Sequence, residues 1–514
     1  EFNAQVTPKE LWETYLPAFE ACVVEGKVES VMGAYNRTNG EPCCAHSVLM
    51  EEILRKKWGF KGHYVSDCWA LLDFHQTHHV TKTPVESAAL ALKKGCDVNC
   101  GSVYMYILTA LQEGLVTEQE IDRAVIRLMT TRLKLGMFDK IEKFDSIPYE
   151  VNDCKAHREE NILAAKKSMT LLKNDGILPL KKERLKKGIA VIGPNADSRI
   201  MLPGNYHGTA SKYETILDGI QDYLKDEVRV FYAEGCDMFR DRVEKRAQPS
   251  DRISEAVIAA KHSDVAIVCL GMNEKMEGEE FHESNDYGAG DKYDLNLPGE
   301  QLQLLQAVQA TDTPTVLLLC AGSALAIGWA QENVNAIVDV WYPGAQGGTA
   351  IADLLFGEYS PAGRLPVTFY RTTEELPDFH DYSMKGRTYR YMETEPLYAF
   401  GYGLSYTQFE YSNLKLSSEK IKNGDSVTAT VTVKNTGSID SDEVIELYIR
   451  DDDASVRVPH YSLCGFDRIH LKAGESCAVS MEIDPKSMQV VDENGCRFIE
   501  NGTFTVYMGG SGPD

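Results

Sequence analysis

The spacing of apolar residues in the first 140 residues predicts helices that alternate with strands. Apolar side chains recur at helical spacing over residues 7–25, and short β-prone runs at 28–35, 59–67 and 95–100 predict strands. Further helices are predicted over residues 47–57, 102–113 and 118–135, with another that ends at Lys94. The third of these follows Thr117, a predicted N-cap. This β-α-β-α order predicts a parallel sheet.

Three strand–helix units are too few for an eight-stranded barrel, which takes ~250 residues. Residues 1–140 are therefore predicted to form either a small open sheet or the C-terminal part of a barrel. The chain begins at Glu1 and Phe2 just before a helix, as if cut from a longer protein, and no signal peptide is visible.

A second set of strands, continuous and apolar, begins after a linker that is predicted over residues 141–188 and contains one predicted helix over 159–172. These strands are predicted at 189–193, 228–232, 264–270, 315–320 and 336–340, with helices between them. Such runs predict a mostly parallel sheet covered on both faces. A long acidic loop over 271–297 leaves the C-terminal end of the third strand, the edge at which open sheets bind ligands.

The apolar pattern changes to period two beyond a linker predicted over 371–405. The runs at 427–433, 444–449 and 503–507 alternate or are apolar, and turns separate them. This pattern predicts an all-β sandwich over 406–514.

Composition and charge narrow the classes of partner. The chain has 514 residues, more than one hydrophobic core can hold, and a formal net charge of −24. This charge argues against a nucleic-acid partner, and no apolar run approaches the ~18 residues that span a bilayer. The acyl-transfer motif GxSxG and the zinc-hydrolase motif HExxH are absent.

The thirteen cysteines are odd in number, and many lie in apolar runs, among them Cys22, Cys269 and Cys320. Buried reduced thiols and a cytoplasmic location are therefore favoured. A local disulfide stays open because Cys43 and Cys44 follow a turn and Cys68 adjoins Asp67. No spacing typical of zinc ligands occurs, so neither a metal nor a cofactor is expected.

Two groups of carboxylates stand out. Asp67 ends the β-prone run Tyr64-Val65-Ser66, where it could serve chemistry or only cap the next helix. The acidic loop supplies several further carboxylates between Glu274 and Asp291. A pair of carboxylates is the minimal apparatus for glycoside hydrolysis, with one as nucleophile and the other as general acid/base.

A series of motifs in a fixed order resembles glycoside hydrolase family 3. The motifs are Ser30-Val31-Met32-Gly33-Ala34-Tyr35-Asn36, Trp58-Gly59-Phe60, Val65-Ser66-Asp67, Glu277-Gly278-Glu279-Glu280, Leu297-Pro298, Trp341-Tyr342-Pro343-Gly344, Gly363-Arg364-Leu365-Pro366 and Phe400-Gly401-Tyr402-Gly403. The resemblance implies an α/β multidomain fold: the C-terminal part of a (β/α)8-type TIM-like barrel (1–140), an α/β/α sandwich (189–370) and a fibronectin type III-like β-sandwich (406–514). It also implies a retaining exo-β-glycosidase.

The resemblance implies roles for particular residues. Asp67 matches the family's nucleophile, and Glu279 is the best match to the acid/base. Glu280 is an alternative acid/base, and so is Glu277, which is also a candidate substrate-binding residue. Met32 and Tyr35 fall where the family lines the pocket for the terminal sugar, and Trp69 is expected beside the leaving group.

The expected substrates are small oligosaccharides or aryl and alkyl β-glycosides, with β-glucosides and β-xylosides both open. Ser66-Asp67-Cys68 and Asp97-Val98-Asn99-Cys100-Gly101 are similar to the family's β-xylosidase-like branch, because many of its β-glucosidases have tryptophan at the place of Cys68.

The family's earlier barrel strands, with a Lys-His pair and an Asp that hold sugar hydroxyls, cannot be placed in this sequence. One hypothesis is therefore that a second polypeptide completes the barrel or that the sequence is incomplete. The alternative function is a carbohydrate-binding or scaffold protein without turnover, and a phosphorylase-like variant is a third. Homo-oligomer formation is left open.

Overall fold

The computed structural model describes residues 2–140, 144–240, 245–246, 248, 250–278 and 292–513. It divides into two compact units. The first consists of Glu1–Pro148, Asp378–Lys385 and Gln489–Ile499, and the second of Tyr149–Pro377, Gly386–Met488 and Glu500–Asp514. Short segments of the predicted second linker and of the predicted C-terminal domain therefore belong to the first unit.

The first unit contains the predicted parallel strands. Ser30–Gly33 and His63–Ser66 pair in parallel, with Met32 opposite Val65. The third predicted strand, over 95–100, is reduced to a bridge between Val65 and Val98. Its pairing is irregular because the amides of Asp97 and Val98 both donate to the Tyr64 carbonyl.

Helices surround these strands much as the apolar spacing predicts. They span Pro8–Glu10, Leu11–Tyr15, Pro17–Val24, Ser47–Lys57, Asp73–Gln76, Pro84–Lys94, Ile107–Gln112 and Glu118–Lys134. The predicted cap at Thr117 is confirmed: its hydroxyl accepts from the Glu120 amide at 3.3 Å, and the Glu120 carboxylate accepts from the Thr117 amide at 2.8 Å. Short strands at Asn3–Ala4, Arg37–Thr38 and Glu41–Pro42 form a small separate sheet.

The segment Gln489–Ile499 packs on the N-terminal helices of the same unit. Two cations contact the Trp12 ring: the Lys57 ammonium lies 3.8 Å from the ring centroid, and the Arg497 guanidinium lies 5.2 Å from it. Lys9 is almost fully buried and donates to the Val491 carbonyl at 2.5 Å. The strands Val490–Val491 and Arg497–Phe498 pair within this segment.

The second unit contains a six-stranded sheet among its described residues. The order across the sheet is Thr170–Asn174, Ala336–Asp339, Thr315–Cys320, Val265–Gly271, Ile189–Ile192 and Val230–Ala233. Successive side chains point to opposite faces, so each strand feeds two apolar cores; Val316 and Leu318 lie in one core and Leu317 and Leu319 in the other. The predicted mostly parallel sheet is confirmed, because only Thr170–Asn174 runs antiparallel to its neighbour.

The linker predicted over 141–188 contains the one helix expected there, although with shifted bounds, and also a strand that the sequence did not predict. This segment forms the helix Lys155–Ser168 and then the edge strand Thr170–Asn174. The strand is short, and its Leu171 and Leu172 are fully buried against opposite cores. The other helices around the sheet are Ile216–Leu224, Ile253–Lys261, Gln301–Gln309, Gly328–Asn333 and Gly347–Phe356, with a single turn at Thr388–Tyr391.

A β-sandwich completes the second unit, as the period-two pattern predicts. One sheet contains Phe409–Leu416, Val427–Asn435 and Ser476–Ile483, and the other contains Ser462–Leu471, Ser441–Asp451 and Phe504–Gly509. A buried ion pair between Arg364 and Glu443, at 2.6 Å, ties the sandwich to the segment after the six-stranded sheet. Within the described residues no helix is both long and apolar enough to cross a membrane.

Candidate active site

Asp67 lies at the C-terminal tip of the strand His63–Ser66. Its amide donates to the Gly33 carbonyl at 2.9 Å, which continues the pairing with the neighbouring strand. Its Oδ1 accepts from the Cys68 amide at 2.7 Å, so one carboxylate oxygen is held by the adjacent backbone. The side chain is half-buried, which leaves it accessible.

Residues 97–101 are bonded to the C-terminal end of the strand His63–Ser66 and to the residue after Asp67. The buried Ser66 hydroxyl accepts from the Cys100 amide and from the Asn99 side chain, both at 3.1 Å. Cys68, directly after Asp67, forms a disulfide with Cys100. The local disulfide that the sequence left open is therefore present. It joins the residue beside Asp67 to the end of the segment 95–100, where the third strand was predicted.

Trp69 is held in a left-handed conformation, with φ of 70°. Its amide donates to the Cys100 carbonyl at 2.7 Å, and this bond offsets part of the strain of a bulky residue at positive φ. The side chain is 56% exposed, so its ring is available to a ligand.

Met32 and Tyr35 belong to the neighbouring strand and the turn that follows it. Their side chains are 59% and 44% exposed, so both present apolar surface to solvent at this strand end. Between them, Gly33 is buried, and a Cβ there would lie 2.5 Å from the Tyr64 hydroxyl and 2.8 Å from Cys44 Sγ. Met32, Tyr35 and Asp67 thus lie at the C-terminal edge of one pair of parallel strands.

Asp97 does not belong to the exposed edge. It is 7% exposed and forms ion pairs with Arg55 at 2.9 Å and with Arg127 at 3.0 Å. Burial, followed by the charge of Arg127, lowers the pKa of Arg55 to about 10. These contacts fix the strand end behind Asp67 and give Asp97 a structural role.

The second carboxylate, Glu277, follows the strand Val265–Gly271. This strand lies beside Ile189–Ile192, where the order of the sheet reverses, and open sheets bind ligands at this kind of point. Glu277 Oε2 accepts from the Gly322 amide at 2.6 Å and from the Tyr342 hydroxyl, and Oε1 accepts from the Ser323 hydroxyl. Burial and the charge of Glu277 raise the pKa of Tyr342 far above its usual value, so this phenol keeps its proton and donates.

The charge of Glu277 also acts on two further ionisable groups, Lys292 and Asp339. Lys292 Nζ donates to the Ala324 carbonyl at 2.5 Å, and burial lowers the pKa of Lys292 although the charge of Glu277 opposes the shift. Asp339 is fully buried; one oxygen accepts from the Trp341 amide at 3.0 Å, and the other has no hydrogen-bond partner among the described residues. Burial and, to a smaller extent, the charge of Glu277 hold the pKa of Asp339 well above its usual range.

Glu279 and Glu280, which the sequence singles out as acid/base candidates, lie outside the described residues. Glu274, at the start of the same loop, is paired with His207. Sequence reasoning did not assign the partners of Glu277 a role, although Tyr342 was part of a recognised motif. No group of three or more His, Cys, Asp or Glu side chains in the described part of the chain is arranged to hold a metal.

Comparison with protein-family models and known proteins agrees with the order of these elements. The model of the glycosyl hydrolase family 3 N-terminal domain matches residues 2–131, that of the C-terminal domain matches 169–406, and a fibronectin type III-like domain matches 443–512. A xylan 1,4-β-xylosidase of Xylanibacter ruminicola is 31% identical over 99% of this chain and 75% of its own length. A periplasmic β-glucosidase of Salmonella typhimurium is 34% identical over 99% of this chain and 70% of its own length.

A solved structure of a family 3 exo-β-xylosidase, in complex with a xylobiose aziridine probe, superposes with a TM-score of 0.86. It is 30% identical, and the match covers 99% of this chain and 67% of that one. The matches run through both units and the β-sandwich. The chain belongs to glycosyl hydrolase family 3, whose enzymes are retaining exo-glycosidases.

Proposed function

We propose that this chain acts on terminal β-D-xylosyl residues in preference to β-D-glucosyl residues, through a covalent intermediate on Asp67. The observation that carries the preference is the Cys68–Cys100 disulfide beside Asp67. A glucosyl residue differs from a xylosyl residue by a hydroxymethyl group, which needs additional room in the sugar pocket. A disulfide that is fastened at both ends moves aside less readily than a free side chain, so it disfavours the larger sugar.

The hydrogen bonding of the Asp67 carboxylate suits it to nucleophilic attack. The Cys68 amide fixes Oδ1, and the described residues supply no hydrogen bond to Oδ2. A carboxylate oxygen with no donor keeps its lone pairs for the anomeric carbon. Trp69, Met32 and Tyr35, all exposed at the same strand ends, then supply apolar surface for the sugar and its leaving group.

Glu279 is the proposed general acid/base, and Glu277 is proposed to position the loop that carries it. Glu277 is surrounded by the amide of Gly322 and the hydroxyls of Ser323 and Tyr342, and such a set of donors matches an ionised carboxylate. A general acid must instead carry a proton to the leaving oxygen. Glu279, two residues further on, is therefore the preferred candidate, because it is the best match to the acid/base of the family motif.

The substrate preference is tested with 4-nitrophenyl β-D-xyloside and 4-nitrophenyl β-D-glucoside under the same conditions. We expect kcat/KM for the xyloside to exceed that for the glucoside by tenfold or more. Equal values, or a faster glucoside, contradict the proposed preference and leave the family assignment intact.

The acid/base assignment is tested by azide rescue. A Glu279→Gln variant should lose turnover on substrates with poor leaving groups, keep it on activated aryl glycosides, and form glycosyl azide when azide is added, because a small anion needs no base. The matched Glu277→Gln variant should be slower on all substrates without azide rescue. Rescue of Glu277→Gln alone would assign the acid/base to Glu277.

The cytoplasmic location favoured by the sequence stays a prediction. The Cys68–Cys100 bridge weighs against it, because disulfides persist mainly in oxidising compartments.

A further inference from the structure

The β-sandwich has a cavity on the outer face of one of its sheets. Along the strand Ser441–Asp451, Ile445, Leu447 and Ile449 point into the sandwich core. The alternate residues therefore face outwards, and the neighbouring strand places Tyr507 opposite Tyr448. Tyr448 on this outer face is fully buried, so other residues of the chain cover it there.

The segment from Arg457 to Tyr461 crosses this outer face. Tyr461 packs edge-on against the buried Tyr448, with ring centroids 5.4 Å apart, and the His460 amide donates to the Arg390 carbonyl at 2.8 Å. A cavity of about 390 Å³ remains between the segment and the sheet. Its volume falls at the lower end of the ~300–1,000 Å³ range of small-molecule clefts. We call this cavity the sandwich pocket.

The sandwich pocket combines aromatic rings with planar polar groups. Its lining includes Arg450, Asp451, Pro459, His460, Tyr461 and Tyr507. The Arg450 guanidinium lies 5.8 Å from the centre of the Tyr507 ring, and Arg450 Nε donates to Asp452 at 2.6 Å. Rings present flat apolar surface, while guanidinium, imidazole, phenol and carboxylate groups supply donors and acceptors around it.

The charges of the lining argue against an anionic ligand. Asp452 already neutralises Arg450, and Asp451 adds a carboxylate to the wall. A neutral ligand with many hydroxyls and one apolar face fits this lining better, since each hydroxyl both donates and accepts. Pyranose sugars have this character: their axial C–H groups form an apolar face, and their hydroxyls form a polar rim.

We propose that the sandwich pocket binds one or two units of a β-linked pyranose chain, as an accessory site that holds polymeric substrate without cleaving it. Only the identity of the sugar rests on the proposed function, because the pocket contains none of the residues around Asp67 or Glu277. Such a site raises the local concentration of chain ends for an exo-acting enzyme.

The test is affinity electrophoresis of the full chain in gels with a soluble β-1,4-xylan or a soluble β-1,4-glucan. An exo-acting site binds chain ends, which are scarce in a polymer, so retardation reports mainly on sites that bind within the chain. We expect retardation of the parent by at least one polymer and at least tenfold weaker binding for Tyr507→Ala. His460→Ala should also weaken binding. Because this variant keeps the backbone hydrogen bond to Arg390, it tests the pocket independently if Tyr507→Ala fails to fold.

The control is Phe466→Ala, which removes an exposed aromatic ring from a neighbouring strand of the same sheet, outside the pocket lining. Its retardation should equal that of the parent. Absence of retardation for the parent, or equal retardation for the parent, Tyr507→Ala and His460→Ala, overturns the proposal. Hydrolysis of 4-nitrophenyl β-D-xyloside should be the same in all variants, so a failure of the proposed function is recognised separately by lack of turnover in the parent.

Discussion

Asp67 and Glu277 are carboxylates that each follow a strand end, but the two regions hold them differently. At Asp67 the support comes from the backbone: one oxygen accepts from the next amide, and a disulfide fastens the residue beside it. At Glu277 both oxygens accept from donors, and these donors are brought from positions 45 and 65 residues away in the sequence.

This difference supports the proposal that Asp67 is the reacting carboxylate and Glu277 a positioning one. A nucleophile needs an oxygen without a donor, because each hydrogen bond to a carboxylate stabilises its charge and lowers its reactivity. An anion that only holds a loop in place is more stable when every lone pair is used. The following variants test this contrast, in order of decreasing expected effect.

The largest effect is expected at Asp67. Asp67→Asn keeps the shape of the side chain and removes the nucleophile, so kcat/KM on an aryl β-glycoside should fall by roughly 10⁴-fold or more. Glu51→Gln, which neutralises an exposed carboxylate on the helix Ser47–Lys57, is the control and should retain full activity. Activity of Asp67→Asn within tenfold of the parent would show that another group attacks the sugar.

A smaller effect is expected from Tyr342→Phe, which removes one donor from Glu277 and leaves its ring in place. The loss of a hydrogen bond to a partly buried charge costs about 1–3 kcal/mol, so kcat should fall about tenfold to a hundredfold with little change in KM. Tyr359→Phe also deletes a phenol hydroxyl, one that contacts Met169, and should leave kcat unchanged. Equal rates for the two variants are incompatible with a positioning role for the Tyr342 hydroxyl.

Removal of the disulfide should change specificity more than rate. In Cys68→Ser/Cys100→Ser the ratio of xyloside to glucoside kcat/KM is expected to fall about tenfold, the effect of one or two methylene-sized contacts. The bridge spans 32 residues, so the free energy of unfolding should fall by about 4 kcal/mol in urea titrations. Cys154→Ser/Cys496→Ser, which removes two free thiols, should change neither quantity. An unchanged ratio in the first double variant would remove the basis for the proposed xyloside preference.

The smallest effect concerns the buried Asp339, whose pKa is raised by burial. Between the unfolded pKa of about 3.9 and the raised folded pKa, the folded state binds more protons than the unfolded state, so stability falls as pH rises. Asp339→Asn removes this dependence, so the unfolding free energy of the variant relative to that of the parent should be larger at pH 8 than at pH 5. Urea titrations at both pH values measure it, with the exposed Glu332→Gln as control. A difference between variant and parent that does not change with pH contradicts the sign.

The elements that sequence predicts best are those with a single strong local signal. The strands Ile189–Ile192 and Thr315–Cys320 are continuous apolar runs, and such runs are fully buried in a covered parallel sheet. Thr117 is recognisable because a capping box needs only residues three apart. Asp67 itself was placed by the apolar run before it and by the family motif.

Long-range pairing could not be predicted. The packing of Arg497 on Trp12 joins positions 485 residues apart, and no local pattern carries it. Thirteen cysteines allow many pairings, so the partner of Cys68 could be fixed only by the fold. The edge strand Thr170–Asn174 was missed because five residues that follow a helix give little periodicity.

The central claim is that Asp67 forms the covalent intermediate. The most direct measurement is to trap that intermediate with 2-deoxy-2-fluoro-β-D-xylosyl fluoride, digest the protein and locate the added sugar by mass spectrometry. The account predicts one xylosyl ester per chain, on the peptide that contains Asp67, with inactivation in parallel. A sugar attached to any other carboxylate would contradict it.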